Sequence, residues 1–382
     1  MNALTIIAES AATSTRPTAA TKNSWLVGAC LALCCGGAAA QDGKVNVYGR
    51  LNLALEQVRS TADAGQRKNA VTRESNNRSV LGLRGSEVLG DGLQAIFQIE
   101  GTLSPDTGAG AIAARDTRIG LAGTFGTLFG GNWVTPYNGA TAGLDPFYPT
   151  TAGYMSIMGN GAAASADNIS DTSSFDRRQQ NSVHYWSPTV HGLSLRLAQG
   201  LNEEAPAGGA RPSLSSVALI YEQGPLYATV THERHRDYQG PGRNDNGTKL
   251  GLAYRFGDTR IAAVAEKLAY ATATGDLGRK AWYLSATHQF GPHGLRFGIA
   301  RAGDGSGRST SKVGYIKQGP DTGATHATVG YDYTLSKRTS VFAHYTRLHN
   351  RKNAVYDFAI NSLGAGAGAT LTGAALGIRH NF

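Results

Sequence analysis

The feature that most narrows what this chain can fold into is the rhythm of its connections. Short ones rich in Gly, Pro or Asp occur at 86–92 ("SEVLGDG"), 123–126 ("GTFG"), 187–192 ("SPTVHG"), 222–225 ("EQGP"), 256–259 ("FGDT"), 290–294 ("FGPHG") and 335–338 ("LSKR"). Long polar or glycine-rich stretches fall between them, near 57–76, 102–114, 135–180, 200–213, 235–247, 270–280, 303–322 and 350–370. Seven short turns alternating with eight long loops make fifteen connections, enough to join sixteen strands.

The segments between connections read as strands of period 2. In 45–55, Val45, Val47, Leu51, Leu53 and Leu55 alternate with Asn46, Tyr48, Arg50 and Asn52. The pattern recurs in 93–100 (Leu93, Ala95, Phe97, Ile99) and in 249–256 (Leu250, Leu252, Tyr254, Phe256). Each strand thus has one apolar and one polar face. Successive connections of an up-and-down antiparallel array leave at opposite ends, so every long loop falls on one side, as in an outer-membrane barrel. Lipid cannot satisfy backbone N–H and C=O groups, so a spanning sheet must close on itself, apolar face outward. A sixteen-stranded closure is too wide for side chains to fill and encloses an aqueous bore.

The first forty residues read as a separate unit. Lys22 precedes a short apolar stretch, 25–35, followed by Ala38-Ala39-Ala40. That order of basic, apolar and small residues predicts an export signal at 1–40, cleaved before Gln41, with residues 41–382 forming the barrel. All three cysteines (Cys30, Cys34, Cys35) lie within the signal, so the mature chain would carry neither disulfides nor thiol chemistry. It would hold 34 basic and 26 acidic residues, a net +8, which in an exported chain suits an anion-attracting surface or lumen rather than nucleic-acid binding.

Five stretches in order carry a family resemblance: "KVNVYGRLNLAL" (44–55), "SVLGLRGSEVLGDGLQAIFQIEG" (79–101), "RIGLAGTFGTL" (118–128), "NSVHYWSPTVHGL" (181–193) and the terminal "GIRHNF". Together they resemble the general porins of beta-proteobacteria. The resemblance implies an all-β, sixteen-stranded antiparallel transmembrane barrel with long external loops, its third loop folded inward. It also implies a homotrimer in the outer membrane, in contact with lipid and lipopolysaccharide, passing small hydrophilic solutes and ions. Residues 135–180 would be the constriction loop, and Phe382 would be read by the barrel assembly machinery as a folding signal. The chain departs from the family pattern at Val80, Val88, Gly131, His184 and Asn381, which affects the charge of the constriction rather than the fold.

Alternation places Arg50, Arg84, Arg118, Arg196, Lys249 and Arg255 on the polar face, as a ladder that would steer anions through a low-dielectric opening. Each could equally solvate the wall or pair with an acid. On the loop, Asp145, Asp167, Asp171 and Asp176 could supply the acidic side of a transverse field, with Asp145, beside Pro146 and Phe147, the foremost candidate. Arg177 and Arg178 would partner the loop's base. Tyr48, Trp133, Trp186, Tyr254, Tyr331 and Tyr333 fit interfacial girdles or protein contacts between barrels. The motifs "HERH" (232–235), "GDGSG" (303–307) and "GAGAGA" (364–369) lack the spacing of a zinc, calcium or phosphate site. No cofactor, metal or catalytic cluster is expected. An adhesin using the external loops, or an outer-membrane enzyme, are the competing functions.

Overall fold

The computed structural model describes residues 43–61, 70–162, 173–203 and 209–382; the expected export signal, Asp167 and Asp171 lie outside them. The barrel opens with β1 (Lys44–Ser60), β2 in two stretches (Val71–Asn76 and Ser79–Gly90) and β3 (Leu93–Ser104). Strand β4 is also in two stretches (Ala109–Ala111 and Thr117–Gly123), followed by β5 (Gly126–Val134). A long loop, whose described residues hold a short helix, α1 (Pro136–Ala142), and two 3-10 turns, leads to β6 (Arg178–Trp186) and β7 (Leu193–Gly200). The next five are β8 (Ser213–Gln223), β9 (Leu226–Arg236), β10 (Asn244–Phe256), β11 (Thr259–Thr272) and β12 (Gly275–Phe290). The series ends with β13 (His293–Ala302), β14 (Ala324–Thr334), β15 (Thr339–Asn350) and β16 (Thr370–Asn381).

Neighbours pair antiparallel in sequence order, and β16 pairs with β1 from Arg50 opposite Asn381 to Ser60 opposite Leu371. The sheet is closed and has no edge. Phe382 extends the seam, since its backbone exchanges hydrogen bonds with Gly49 at 3.0 and 3.1 Å. Gly49 is needed there because a Cβ would lie 2.4 Å from the Phe382 ring and 2.8 Å from the Val80 carbonyl.

The alternation read from the sequence is physical. Val45, Val47, Leu51 and Leu55 stand exposed on the outside, while Asn52, Ala54, Glu56 and Val58 are buried on the inside. Phe125, Tyr254, Phe256, Phe290, Tyr331 and Phe382 form an exposed aromatic band at the short-turn end.

All seven short turns fall where the sequence places them. Of the long loops, 270–280 does not: β11 and β12 run on, paired from Thr259–His288 to Thr272–Gly275, and only two residues turn between them. Its polar composition belongs to strand ends that continue beyond the apolar belt, where polarity no longer reports a loop. The glycine-rich stretch 364–369 is tied down: Ala369 is buried, and the Asp357 carboxylate accepts hydrogen bonds from the amides of Leu363 and Ala365.

The largest apolar cluster lies inside the bore rather than between layers. Leu144, Tyr154, Ile157 and Met158 from the long 135–177 loop meet Tyr283 and Leu348 of the wall and Tyr356 and Phe358 of the last long loop. Loops therefore fill part of a cavity that wall side chains are too short to fill.

The seam makes a prediction. Gly49→Ala overpacks it at a cost of about 1–3 kcal/mol and lowers the urea concentration at which folded, gel-shifted barrel is lost. Adding Phe382→Leu partly restores it.

Candidate functional site

The loop at 135–177 is built to stay against the wall. Thr135 caps α1 by accepting a hydrogen bond from the Asn138 amide, and Pro136 occupies the first helical position, where no N–H is needed. Beyond the helix, the loop's own carbonyls are taken up by wall side chains. Arg260 donates to Gly143 O at 2.8 Å, Ser285 to Leu144 O at 2.8 Å, Arg296 to Pro146 O at 2.6 Å and Thr328 to Ala152 O at 3.0 Å. These partners come in order from β11 to β14, so the loop crosses the inner face strand by strand.

Two charged clusters pin the rest. Glu266 of β11 accepts from Tyr137 Oη at 3.0 Å and from Gly159 N, while Arg279 of β12 pairs with Glu266 and donates to Ile157 O. Lys249 of β10, buried completely, holds Asp176. Glycines in the wall make seats for the loop's side chains. A Cβ on Gly247 would meet the Phe175 ring at 2.7 Å, one on Gly330 the Phe147 ring at 2.7 Å, and one on Gly251 the Leu144 side chain at 2.8 Å. The last long loop leans on this one through Ala359 N to Ser156 Oγ (3.1 Å) and Asn361 Nδ2 to Thr151 Oγ1 (3.2 Å).

Asp145 sits within this scaffold. It is 4% exposed, and its carboxylate accepts from Phe147 N (2.9 Å), Tyr154 N (2.8 Å) and Tyr283 Oη (2.8 Å). Burial pushes its pKa up to about 6 against these hydrogen bonds, which act to lower it. The acid foreseen facing the opening instead organises the loop's turn and ties it to β12. Sequence could not reveal this, because Tyr283 lies far away along the chain.

The strands not covered by the loop carry Arg50, Arg84, Arg118 and Arg196. Arg50 donates to Arg78 O at 2.9 Å and lies within electrostatic reach of Arg115 and Arg379. Arg84 stacks over Tyr48 at 5.0 Å. Arg118 is ringed by Phe129, Trp133 and Trp186 at 4.8, 4.4 and 5.1 Å, and Arg196 covers Trp186 at 4.8 Å. Tyr48, Trp133 and Trp186 thus point inward, not into a lipid girdle. The rings hold the guanidinium groups in place while leaving their charge unneutralised. Arg178 pairs with Asp116 at 2.8 Å, Arg115 with Glu100 at 2.8 Å, and Arg296 with Asp332. Arg177 is 1% exposed and lies 5.2 Å from the Tyr238 ring. Arg78, Arg115 and Arg379 were missed as a group. Arg78 interrupts β2 and Arg115 lies between the two stretches of β4, where strand periodicity assigns no face.

The sequence profile of Gram-negative porins matches residues 28–353. The chain belongs to the Gram-negative porin family. It is 26% identical over 363 residues to the outer membrane porin protein 32 of Delftia acidovorans, covering 92% of this chain and 97% of that one. A porin of Bordetella pertussis is 27% identical over 349 residues, covering 80% and 83%. Among solved structures, an anion-selective porin from Comamonas acidovorans superposes with a TM-score of 0.75 at 23% identity, over 89% of this chain and 100% of that one. The trimer form of OmpT of Vibrio cholerae gives 0.64 at 15% identity, over 90% and 100%. This porin is an outer-membrane barrel forming a water-filled channel for small hydrophilic solutes and ions.

The buried carboxyl gives a pH signature. With a folded pKa near 6 against an ordinary value of 3.8, folded porin holds a proton between those values that unfolded chain does not. Asp145 therefore adds stability as pH falls through about 6, fully gained below about 4. Thermal melts in detergent between pH 7.5 and 4.5 will show a component of this sign that is missing in Asp145→Asn. Parallel profiles for the two proteins would refute it.

Proposed function

We propose that this porin is a passive, anion-preferring channel whose constriction lies between the 135–180 loop and the arginine-bearing wall of β1–β7. The carrying observation is an imbalance of accessible charge. Among the described residues, the loop's Asp145 and Asp176 are buried and partnered. Facing them, Arg50, Arg84, Arg118 and Arg196 have no ion pair on any of the described acids, whereas Glu100 and Asp116 are each paired with another arginine. A low-dielectric opening with a net basic wall concentrates anions. Arg177 and Arg178 act at the loop's base, the first buried and the second neutralised by Asp116.

The trimeric form of one structural relative supports a homotrimer here. Phe382, completing the β1–β16 seam, fits the assembly-signal role that the resemblance assigns it. We ascribe no catalysis to the barrel. Ser173, His235 and Glu233 stand in hydrogen-bond order at 2.7 and 2.9 Å, but all three are fully buried and Ser173 also bonds Asp245. That set fastens the descending arm of the loop to β9 and β10.

In planar bilayers, the reversal potential under a KCl gradient will have the anion-selective sign, and triplet closures will report the trimer. The preference will fade toward 1 M salt, where the screening length falls to about 3 Å. Arg84→Glu and Arg118→Glu will each move selectivity toward cations. Cation selectivity of the unaltered porin would overturn the proposal.

A further inference from the structure

Below α1, at the short-turn end of the bore, lies a cavity of about 490 Å³ between the loop and β7, β8, β9 and β11. Its floor is apolar, with Ala140, Leu144 and Ile220 buried. Its sides are cationic, from Arg196 and Arg260, and Tyr227 stands between them, near enough to feel both charges. Tyr227 is fixed by its hydroxyl, which donates to Ala140 O at 2.5 Å, and Arg260 by its bond to Gly143 O. Arg196 lies over the Trp186 ring, on which Arg118 also bears. Glu222 is the one acid of the lining, against two arginines.

Simple anion steering needs none of this apparatus. A solvated lysine would attract chloride as well as an arginine stacked on tryptophan. A planar guanidinium held over an aromatic ring, beside a tyrosine and an apolar floor, suits a ligand with a flat body and an anionic end. The volume lies within the range of small-molecule sites, and the arginine offers a carboxylate a fork of donors.

We propose that this cavity is a binding subsite for small aromatic carboxylates, entered from the short-turn mouth before the constriction. The carboxylate bonds Arg196, which Trp186 backs from outside the cavity, and the ring lies along Tyr227 over Ala140 and Ile220. The proposal deepens the channel reading and rests on it. A barrel that carries no KCl current fails the channel reading. A conducting barrel that ignores the ligand fails only this one.

The test is block of KCl current through single porin channels by benzoate, with acetate and cyclohexanecarboxylate as probes lacking the ring or its planarity. Benzoate added on the short-turn side is expected to half-block at roughly a tenfold lower concentration than acetate, with cyclohexanecarboxylate closer to acetate. Arg196→Lys keeps the charge but loses the stacked plane, and is expected to remove most of the benzoate advantage while acetate block persists. Trp186→Leu should do the same by a different route. Equal potency of benzoate and acetate on the unaltered channel, or a benzoate advantage that survives both substitutions, would overturn the subsite.

Discussion

Everything in this barrel follows from one constraint: no backbone N–H or C=O may be left unpaired in hydrocarbon. Closure of β16 on β1 answers it, and closure divides each strand's side chains into an outer and an inner set. The outer set can only be apolar, as Ile119 at 72% exposure illustrates. Freed from packing against a second layer, the inner set can carry charge. The glycine at 49 and the ring of Phe382 show how closely the seam must fit for the ladder to complete itself.

Closure also creates a difficulty, because a sixteen-stranded ring is emptier than side chains can fill. The chain solves it unevenly. One arc, from β8 to β15, is upholstered by the 135–177 loop and braced by the 351–369 loop, forming an apolar cluster within the bore. Buried ions such as Glu266, Arg279 and Lys249 are tolerated there because each finds opposite charge and hydrogen bonds together, the condition under which burial of charge is sustainable. The other arc stays open, and there Arg84, Arg118 and Arg196 lie over aromatic rings instead of on carboxylates. Stacking fixes a guanidinium without cancelling it, which is the basis of the anion preference proposed above.

Much of this was legible in the sequence. Period-2 alternation and the alternation of turn lengths specify strand number, direction and facing, because both are local properties. Arg50, Arg84, Arg118 and Arg196 were assigned to the inner face by parity alone. What escaped depends on contacts between distant segments. Asp145 looks like a free loop acid until Tyr283 arrives from β12, and Trp186 looks like a girdle residue until parity is counted through β6. Arg78 and Arg115 sit where strands break, so no period assigns them a face. Residues 270–280 look like a loop because polar strand ends and polar loops have the same composition.

The basic arc can set the opening alone only if the loop rests against the wall at all times. A cysteine pair at Thr141→Cys and Gly251→Cys tests this directly, since the Thr141 methyl lies 3.3 Å from where a Gly251 Cβ would be and the native cysteines are confined to positions 30, 34 and 35. Mild oxidation should join the pair nearly completely, and single-channel conductance should be the same before and after. Failure to cross-link, or a conductance that changes markedly when the bond forms, would show that the loop leaves the wall and that the account is wrong.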